Sequence, residues 1–148
     1  MKVSDFLAAA DVLSGVAASD KQKLLSDLAQ KAGPAVGLSP DEILAELSKR
    51  EDFGSTGMGG GVAIPHARFQ EMSKPFGMLA RLKKPIDFDA VDSAPVDTVF
   101  LLLLPETPGG EQLNALASIA RALRDPATIA AIRKAKDSAQ IYRALVAK

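Results

Sequence analysis

The feature that most constrains the fold is an apolar run at positions 98–104, Thr-Val-Phe-Leu-Leu-Leu-Leu, which Pro105 ends. After Thr98 the run lacks the polar alternation that a strand with one face in water would show. We therefore predict a strand that is buried on both faces, in the centre of a sheet that helices cover. Residues 76–82 form a second short apolar run and predict another strand.

Helix signals lie on both sides of these strands. Ser19 begins a capping box, and we expect Gly33-Pro34 to stop the helix that follows. A second helix begins at Ser39-Pro40 and is expected to end near Arg50, and further helices fill the last third of the chain. The order of helices, strands and helices predicts an α/β fold, a three-layer sandwich with a central mixed β-sheet flanked by helices.

Length and composition indicate one domain over residues 1–148, because 148 residues with 47% hydrophobic content support a single core. The 18 basic residues equal the 18 acidic ones, so no basic surface for nucleic acid or an acidic membrane is predicted. No apolar run approaches the ~20 residues of a membrane span. The absence of cysteine excludes disulfides and thiolate metal sites. We expect a cytoplasmic protein without membrane insertion.

Five glycines lie between positions 54 and 61, a composition that lets bare backbone amides approach an anion. The segment nevertheless fails both common nucleotide fingerprints. It lacks the Gly-Lys-Ser/Thr that ends a P-loop, and Val62 stands where a dinucleotide fingerprint needs its third glycine. The alternatives of an anion-binding loop and a plain tight turn therefore both stay open.

The only histidine of the chain, His66, follows this segment directly. Pro65 fixes its own φ and favours an extended Ile64, so residues 62–64 are predicted to form a short strand that delivers His66 rigidly at its end. Active residues collect at strand ends in α/β folds. The competing interpretation is a surface histidine or a hydrogen-bonded core histidine.

Elimination narrows the chemistry that one histidine can perform. A metal site needs further strong ligands, and His66 has no second His, no Cys and no local carboxylate at ligand spacing. No nucleophile elbow is present for a Ser-His-Asp triad. The imidazole itself can attack phosphorus, so phosphoryl transfer through a phosphohistidine fits best. The predicted phosphate-binding donors are the hydroxyls, amides and cations of Ser55, Thr56, Gly57, Arg68 and Arg50.

A longer motif surrounds the histidine: Glu51, then Met58-Gly59, then residues 62–67, Val-Ala-Ile-Pro-His-Ala. It resembles the signature of enzyme IIA of the fructose–mannitol type in the phosphoenolpyruvate-dependent phosphotransferase system. The similarity covers nearly the whole chain, and the Gly-Ser-Thr-Gly at 54–57 in a stand-alone domain resembles most the nitrogen-regulatory enzyme IIA branch. The resemblance implies that His66 accepts a phosphoryl group from an HPr-like phosphocarrier, with Arg50 as a cation beside the phosphate and no cofactor.

The resemblance leaves the output open. The nitrogen-regulatory branch implies that regulatory target proteins read the phosphorylation state, with nitrogen- or potassium-related consequences. The alternatives are a sugar-transport enzyme IIA that passes phosphate to a IIB domain, and a binding module that has lost transfer.

The sequence departs from the family pattern at one position near the histidine. The family usually places a second histidine near the first, and the matching position is Gln112, an amide that can hydrogen-bond but cannot take up a proton.

A carrier that docks partner proteins is expected to expose apolar side chains around His66. Met58 is the best candidate because it lies in the glycine loop. Met72 is a further candidate. Phe53 and Phe76 are expected in the core.

Overall fold

The computed structural model describes residues 1–106 and 110–147, and in the second range it describes side chains from residue 114 onward. A short 3-10 helix, Val3–Asp5, precedes the first strand. The strands are β1 (Leu7–Val16), β2 (Gly57–Gly59), β3 (Val62–Ala63), β4 (His66–Phe69), β5 (Phe76–Ile86) and β6 (Val96–Pro105). The helices are α1 (Lys21–Val36), α2 (Pro40–Phe53), α3 (Gly110–Arg124), α4 (Pro126–Lys134) and α5 (Ser138–Val146).

The six strands form one mixed sheet in the order β1-β5-β6-β3-β2, and β4 also pairs with β6. Strand β6 runs antiparallel to β5 and parallel to β3 and β4. Val99, Leu101 and Leu103 of β6 join the core that includes α1 and α2, whereas the alternate residues of β6 join the core beneath α3, α4 and α5. The predictions of a strand buried on both faces and of a mixed sheet between two helical layers are confirmed.

Helix α1 departs from the prediction at its end. Gly33-Pro34 does not stop it, because Pro34 lies inside the helix, which continues to Val36. A proline removes one helical hydrogen bond and crowds the carbonyl four residues earlier, but only two residues of α1 follow Pro34, so the disturbance is confined to the end of the helix. Gly37, with φ of 72°, ends the helix instead, and its N–H donates to the Gly33 carbonyl. Helix α2 likewise runs past Arg50 to Phe53.

Strand β1 was absent from the predicted order, so the expectation that helices come first is wrong. Its sequence, Leu-Ala-Ala-Ala-Asp-Val-Leu-Ser-Gly-Val, is rich in alanine, which strands disfavour, and it shows no clean alternation. The reason is its position: β1 lies at the edge of the sheet and pairs only with β5, with shifts of register. Tertiary pairing rather than local propensity makes this segment a strand.

The glycine segment forms the β2–β3 hairpin. Gly59, Gly60 and Gly61 all have positive φ at its turn, a conformation that favours glycine. The Asp92 carboxylate accepts the Gly60 N–H over 3.1 Å, and Arg133 donates to the Gly60 carbonyl over 2.6 Å. This part of the segment therefore forms a tight turn, and its use as an anion-binding loop stays a prediction.

Strand β3 is shorter than predicted and does not carry His66 at its end. It covers Val62–Ala63, the chain leaves the strand at Ile64-Pro65, and His66 opens the next strand, β4. Both strands pair in parallel with β6, where His66 lies opposite Leu102. Pro65 cannot donate to the ladder, which explains the interruption.

Within the described residues, no helix has both the length and the apolar character needed to cross a bilayer.

Candidate functional site

The imidazole of His66 is held by a backbone group two residues before it. Its Nδ1 lies 2.8 Å from the carbonyl oxygen of Ile64. A carbonyl oxygen can only accept a hydrogen bond, so Nδ1 carries the proton and Nε2 carries the lone pair of the neutral ring. The side chain is partly buried. The geometry therefore presents Nε2 as the nucleophilic atom.

The environment keeps this ring neutral. Burial lowers the pKa of His66 below its ordinary value near 6.5. The positive charges of Arg50 and Arg68 lower the pKa as well, whereas the hydrogen bond to Ile64 and the negative charge of Glu51 raise it, and the net direction is downward. A neutral imidazole is the form that can act as a nucleophile.

The two predicted cations lie close enough to His66 to act on it electrostatically. Arg68 shares a face of β4 with His66, because alternate residues of a strand point the same way. It is exposed, and its guanidinium makes no hydrogen bond or ion pair with the residues whose side chains the structure describes. Arg50 is in the last turn of α2, and its Nη1 donates to the Gly54 carbonyl over 2.9 Å. The structure thus brings Arg50 and Arg68 to the same histidine from different elements.

The predicted phosphate donors of the glycine segment are engaged within the protein. The Ser55 hydroxyl donates to the Phe88 carbonyl over 2.5 Å and accepts the Gly57 N–H over 3.0 Å. Thr56 is buried, and both its N–H and its hydroxyl donate to the carboxylate of Glu51. A direct contact between these groups and a phosphate would require the present bonds to break, so their phosphate-binding role stays a prediction.

Glu51 and Lys21 are the important neighbours that sequence reasoning missed. The Glu51 side chain is only 6% exposed, and its Oε1 lies 2.9 Å from Lys21 Nζ. Lys21 also stands 4.6 Å from the centroid of the Phe88 ring. Glu51 appeared in the motif without a role. The only sequence signal for the bond between Glu51 and Thr56 was their separation of five positions. Nothing near Glu51 in the sequence points to Lys21, which lies 30 positions before it.

Comparison with known proteins agrees with this geometry. Residues 5–148 match the family described as phosphoenolpyruvate-dependent sugar phosphotransferase system, EIIA 2. The chain belongs to this family. It is 41% identical over 145 residues to a nitrogen regulatory protein of Bradyrhizobium diazoefficiens, an alignment that covers 98% of this chain and 95% of the relative. The predicted likeness to the nitrogen-regulatory branch of the EIIA family is confirmed, and with it a general role in phosphoryl transfer.

Solved structures agree on the fold. The crystal structure of the nitrogen regulatory protein IIA-Ntr from Neisseria meningitidis superposes with a TM-score of 0.91 at 28% identity, covering 97% of this chain and 98% of that one. A complex of mannitol enzyme IIA and phosphorylated mannitol enzyme IIB from Escherichia coli matches with a TM-score of 0.79. At 16% identity, covering 95% of this chain and 97% of that one, the second likeness shows only the EIIA fold.

The apolar surface of this EIIA domain differs from the prediction. Phe53 was expected in the core, but it is 85% exposed, because α2 ends there and the chain turns away at Gly54. Met58 is half-buried against the core, Met72 is buried, and Phe76 packs partly against the core, as expected for Phe76. Phe53 follows Arg50 by three positions, so the two side chains are neighbours on the helix surface.

Two further expectations concern Gln112 and metal binding. Gln112, the proposed counterpart of the second family histidine, lies outside the residues whose side chains are described, so its role stays a prediction. Among the described residues, no group of three or more His, Asp and Glu side chains is placed to hold a metal ion.

The pKa of His66 gives a direct test of the electrostatics. Because the chain has one histidine, its imidazole yields a single set of signals in an NMR titration. We expect the midpoint to lie below 6.5, and we expect Arg50→Gln to raise it, since that substitution removes a positive charge that opposes protonation.

The same shift predicts a pH profile. The depressed pKa keeps more of the ring in the nucleophilic neutral form at pH 6.5 than an ordinary histidine would have, so phosphoryl acceptance should fall as the pH drops through a folded pKa that lies below 6.5. In Arg50→Gln the fall should begin at a higher pH. Arg124→Gln, at an exposed position of α3, is the charge-matched control and should leave the midpoint unchanged. A wild-type midpoint at or above 6.5 would contradict the proposed balance.

Proposed function

We propose that this EIIA domain is a phosphohistidine carrier that accepts a phosphoryl group on Nε2 of His66 from the phosphohistidine of an HPr-like protein. The observation that carries the proposal is the hydrogen bond from Nδ1 to the Ile64 carbonyl. It leaves a lone pair on Nε2 in a ring that the surroundings keep neutral. Membership in the EIIA family supports the direction of the chemistry.

The proposed step balances without any other reactant. The donor ring carries the phosphoryl group on one nitrogen and a proton on the other. The Nε2 lone pair of His66 forms the new N–P bond while the N–P bond of the donor breaks and returns its electron pair to the donor ring. The proton on Nδ1 of His66 stays there, hydrogen-bonded to the Ile64 carbonyl, and the ring becomes a phosphoimidazolium. Since both reacting groups are imidazoles, the protein contributes positioning above all.

The charges around His66 suit the product. Arg50 and Arg68 disfavour an additional proton on the ring, and they favour the anionic phosphoryl oxygens that arrive on Nε2. We therefore propose that these two arginines supply the cationic contacts to the phosphoryl group. The segment from Ser55 to Gly57 supports the site through its hydrogen bonds to Phe88 and Glu51.

We propose a regulatory output, in which target proteins read the phosphorylation state of His66. The support is the 41% identity to a nitrogen regulatory protein over nearly the whole chain. Phosphorylation places a phosphoryl group with about two negative charges on the surface of a chain that has no net charge, a local change that a partner can sense directly. The family description names a sugar system, so transfer to a IIB domain is the second candidate. Incubation of the phosphorylated protein with a purified IIB domain separates the two, because transport predicts rapid loss of the phosphoryl group.

The test of the carrier function is a mass measurement. After incubation with phosphoenolpyruvate, enzyme I and an HPr-like protein, the wild type should gain about 80 Da, the mass of one PO₃ unit on the ring. The added mass should be lost in acid and absent when enzyme I is omitted. If the wild type gains no mass from a fully phosphorylated donor, the carrier function is refuted, and the remaining hypothesis is a binding module that does not transfer phosphoryl groups.

Phe53 provides a prediction about docking. Its side chain is 85% exposed and lies one helical turn from Arg50, so we expect it to anchor the phosphorylated carrier against this surface. Phe53→Ser should raise the KM for the protein donor by about tenfold, the effect of losing one aromatic anchor. The measurement is the rate of phosphorylation as a function of donor concentration.

A small donor supplies the control for docking. Phosphoramidate reaches His66 without any protein surface, so its rate with Phe53→Ser should equal that of the wild type. A parallel loss with both donors would show that Phe53 supports the fold of the site, and an unchanged KM would remove Phe53 from the docking surface.

A further inference from the structure

Two residues, Thr56 and Ile64, connect the buried carboxylate of Glu51 to the reactive histidine through consecutive hydrogen bonds. Glu51 accepts both the N–H and the hydroxyl of Thr56, the first over 3.0 Å. The Thr56 carbonyl accepts the Ile64 N–H over 3.1 Å. The Ile64 carbonyl then accepts the Nδ1–H of His66 over 2.8 Å. Each of these hydrogen bonds fixes the residue whose backbone group takes part in the next hydrogen bond.

The first member of this series is firmly held. Glu51 is at the end of α2, its side chain is 6% exposed, and Lys21 of α1 pairs with it over 2.9 Å. Both of its oxygens bind Thr56, so the carboxylate fixes the backbone as well as the side chain of that residue. Thr56 in turn is buried. Burial of this carboxylate costs desolvation free energy, which an apolar residue at position 51 would avoid.

We propose that Glu51 is a positioning residue for phosphoryl acceptance. It acts through Thr56 and Ile64, and it determines which ring nitrogen of His66 carries no proton and can accept the phosphoryl group. This inference rests on the proposed carrier function and adds a residue to it. Glu51 does not touch the reacting atoms. It keeps the Ile64 carbonyl in place, and that carbonyl holds the proton on Nδ1 and aims Nε2 outward.

A neutral amide at position 51 cannot repeat these bonds. The oxygen of Gln can accept the Thr56 N–H, but its NH₂ group donates and cannot accept the Thr56 hydroxyl proton. Lys21 also loses the nearer of its two counter-ions and keeps only the exposed Asp89, 3.9 Å away. With Thr56 less constrained, the Ile64 carbonyl loses its fixed position and the proton of the neutral imidazole distributes between both nitrogens. Mispositioning of this kind lowers the rate of the chemical step by up to about 100-fold.

The test uses the single histidine again. The ¹⁵N shifts of the imidazole, recorded at pH 8 where the ring is neutral, distinguish a protonated nitrogen from a bare one. We expect the wild type to hold its proton on Nδ1 and Glu51→Gln to show a mixture of tautomers. Asp52→Asn removes an exposed carboxylate from the adjacent position of α2 and is the charge-matched control, with wild-type shifts expected.

Rates with phosphoramidate and with the protein donor complete the experiment. Glu51→Gln should lose about tenfold to 100-fold in rate at saturation with both donors, while the KM for the protein donor stays unchanged. A folded Glu51→Gln variant with wild-type tautomer would overturn the proposal, whatever its rate, and so would a changed tautomer with wild-type rates.

A second variant covers the case in which Glu51→Gln does not fold. Thr56→Val removes only the hydroxyl bond and should shift the tautomer in the same direction, whereas Thr56→Ser keeps both bonds and should match the wild type. Thr56→Val with an undisturbed tautomer and rate would overturn the proposal. If the wild type accepts no phosphoryl group from either donor, the carrier function fails, and the tautomer measurement still decides whether Glu51 positions His66.

Discussion

A His66→Gln variant is expected to accept no phosphoryl group from a phosphorylated carrier or from phosphoramidate. The chain has one histidine and no cysteine, so no other side chain offers a comparable neutral nucleophile. Glutamine keeps polar atoms at the position, but its amide nitrogen has no lone pair available for attack. The expected result is the complete absence of the mass gain of about 80 Da that the wild type should show.

Stability provides the control for this variant. His66 is partly exposed, and with the described residues its imidazole makes one hydrogen bond, to Ile64, so its replacement should change the free energy of unfolding by only about 1 kcal/mol. Urea unfolding of both proteins measures that change. A folded His66→Gln variant that still becomes phosphorylated would move the accepting atom to another residue and refute the assignment.

The predictable parts of the fold were those with local signals. Residues 98–104 form a strand in the centre of the sheet because the run is apolar throughout and a proline ends it. Asp125-Pro126 begins α4 and Asp137 caps α5, as capping chemistry predicts. In contrast, β1 has no local signal for a strand, and Pro34 is tolerated in a helix because tertiary packing and the Gly37 cap outweigh its cost.

The candidate site divides in the same way. His66 and the cations Arg50 and Arg68 could be proposed from the sequence because residue type alone limits which side chains can do this chemistry, and the structure places both cations near enough to His66 to affect its pKa. The donors assigned to Ser55 and Thr56 could not be checked from the sequence, since the Phe88 carbonyl that binds Ser55 is 33 positions away. Which nitrogen of His66 is free depends on a backbone carbonyl, and a sequence carries no direct signal for that.

The ion pair between Lys21 and Glu51 should have the second large effect, this time on stability. Lys21→Met keeps most of the apolar stem but removes the charge, and it leaves a carboxylate that is only 6% exposed without its counter-ion. Breaking a buried pair in this way costs about 3 kcal/mol or more. We expect a loss of that size in the free energy of unfolding, measured in urea.

A second lysine on α1 shows why burial decides this magnitude. Lys23 pairs with Asp27 over 2.8 Å, the same separation within 0.1 Å, but their side chains are 60% and 30% exposed. Lys23→Met should therefore cost about 0.5 kcal/mol at most. Adding Glu51→Gln to Lys21→Met should recover part of the loss, because the double variant no longer buries an unpaired charge. Equal costs for the two lysine variants, or strictly additive costs for Lys21→Met and Glu51→Gln, would contradict a buried pair that supports Thr56 and, through it, the histidine.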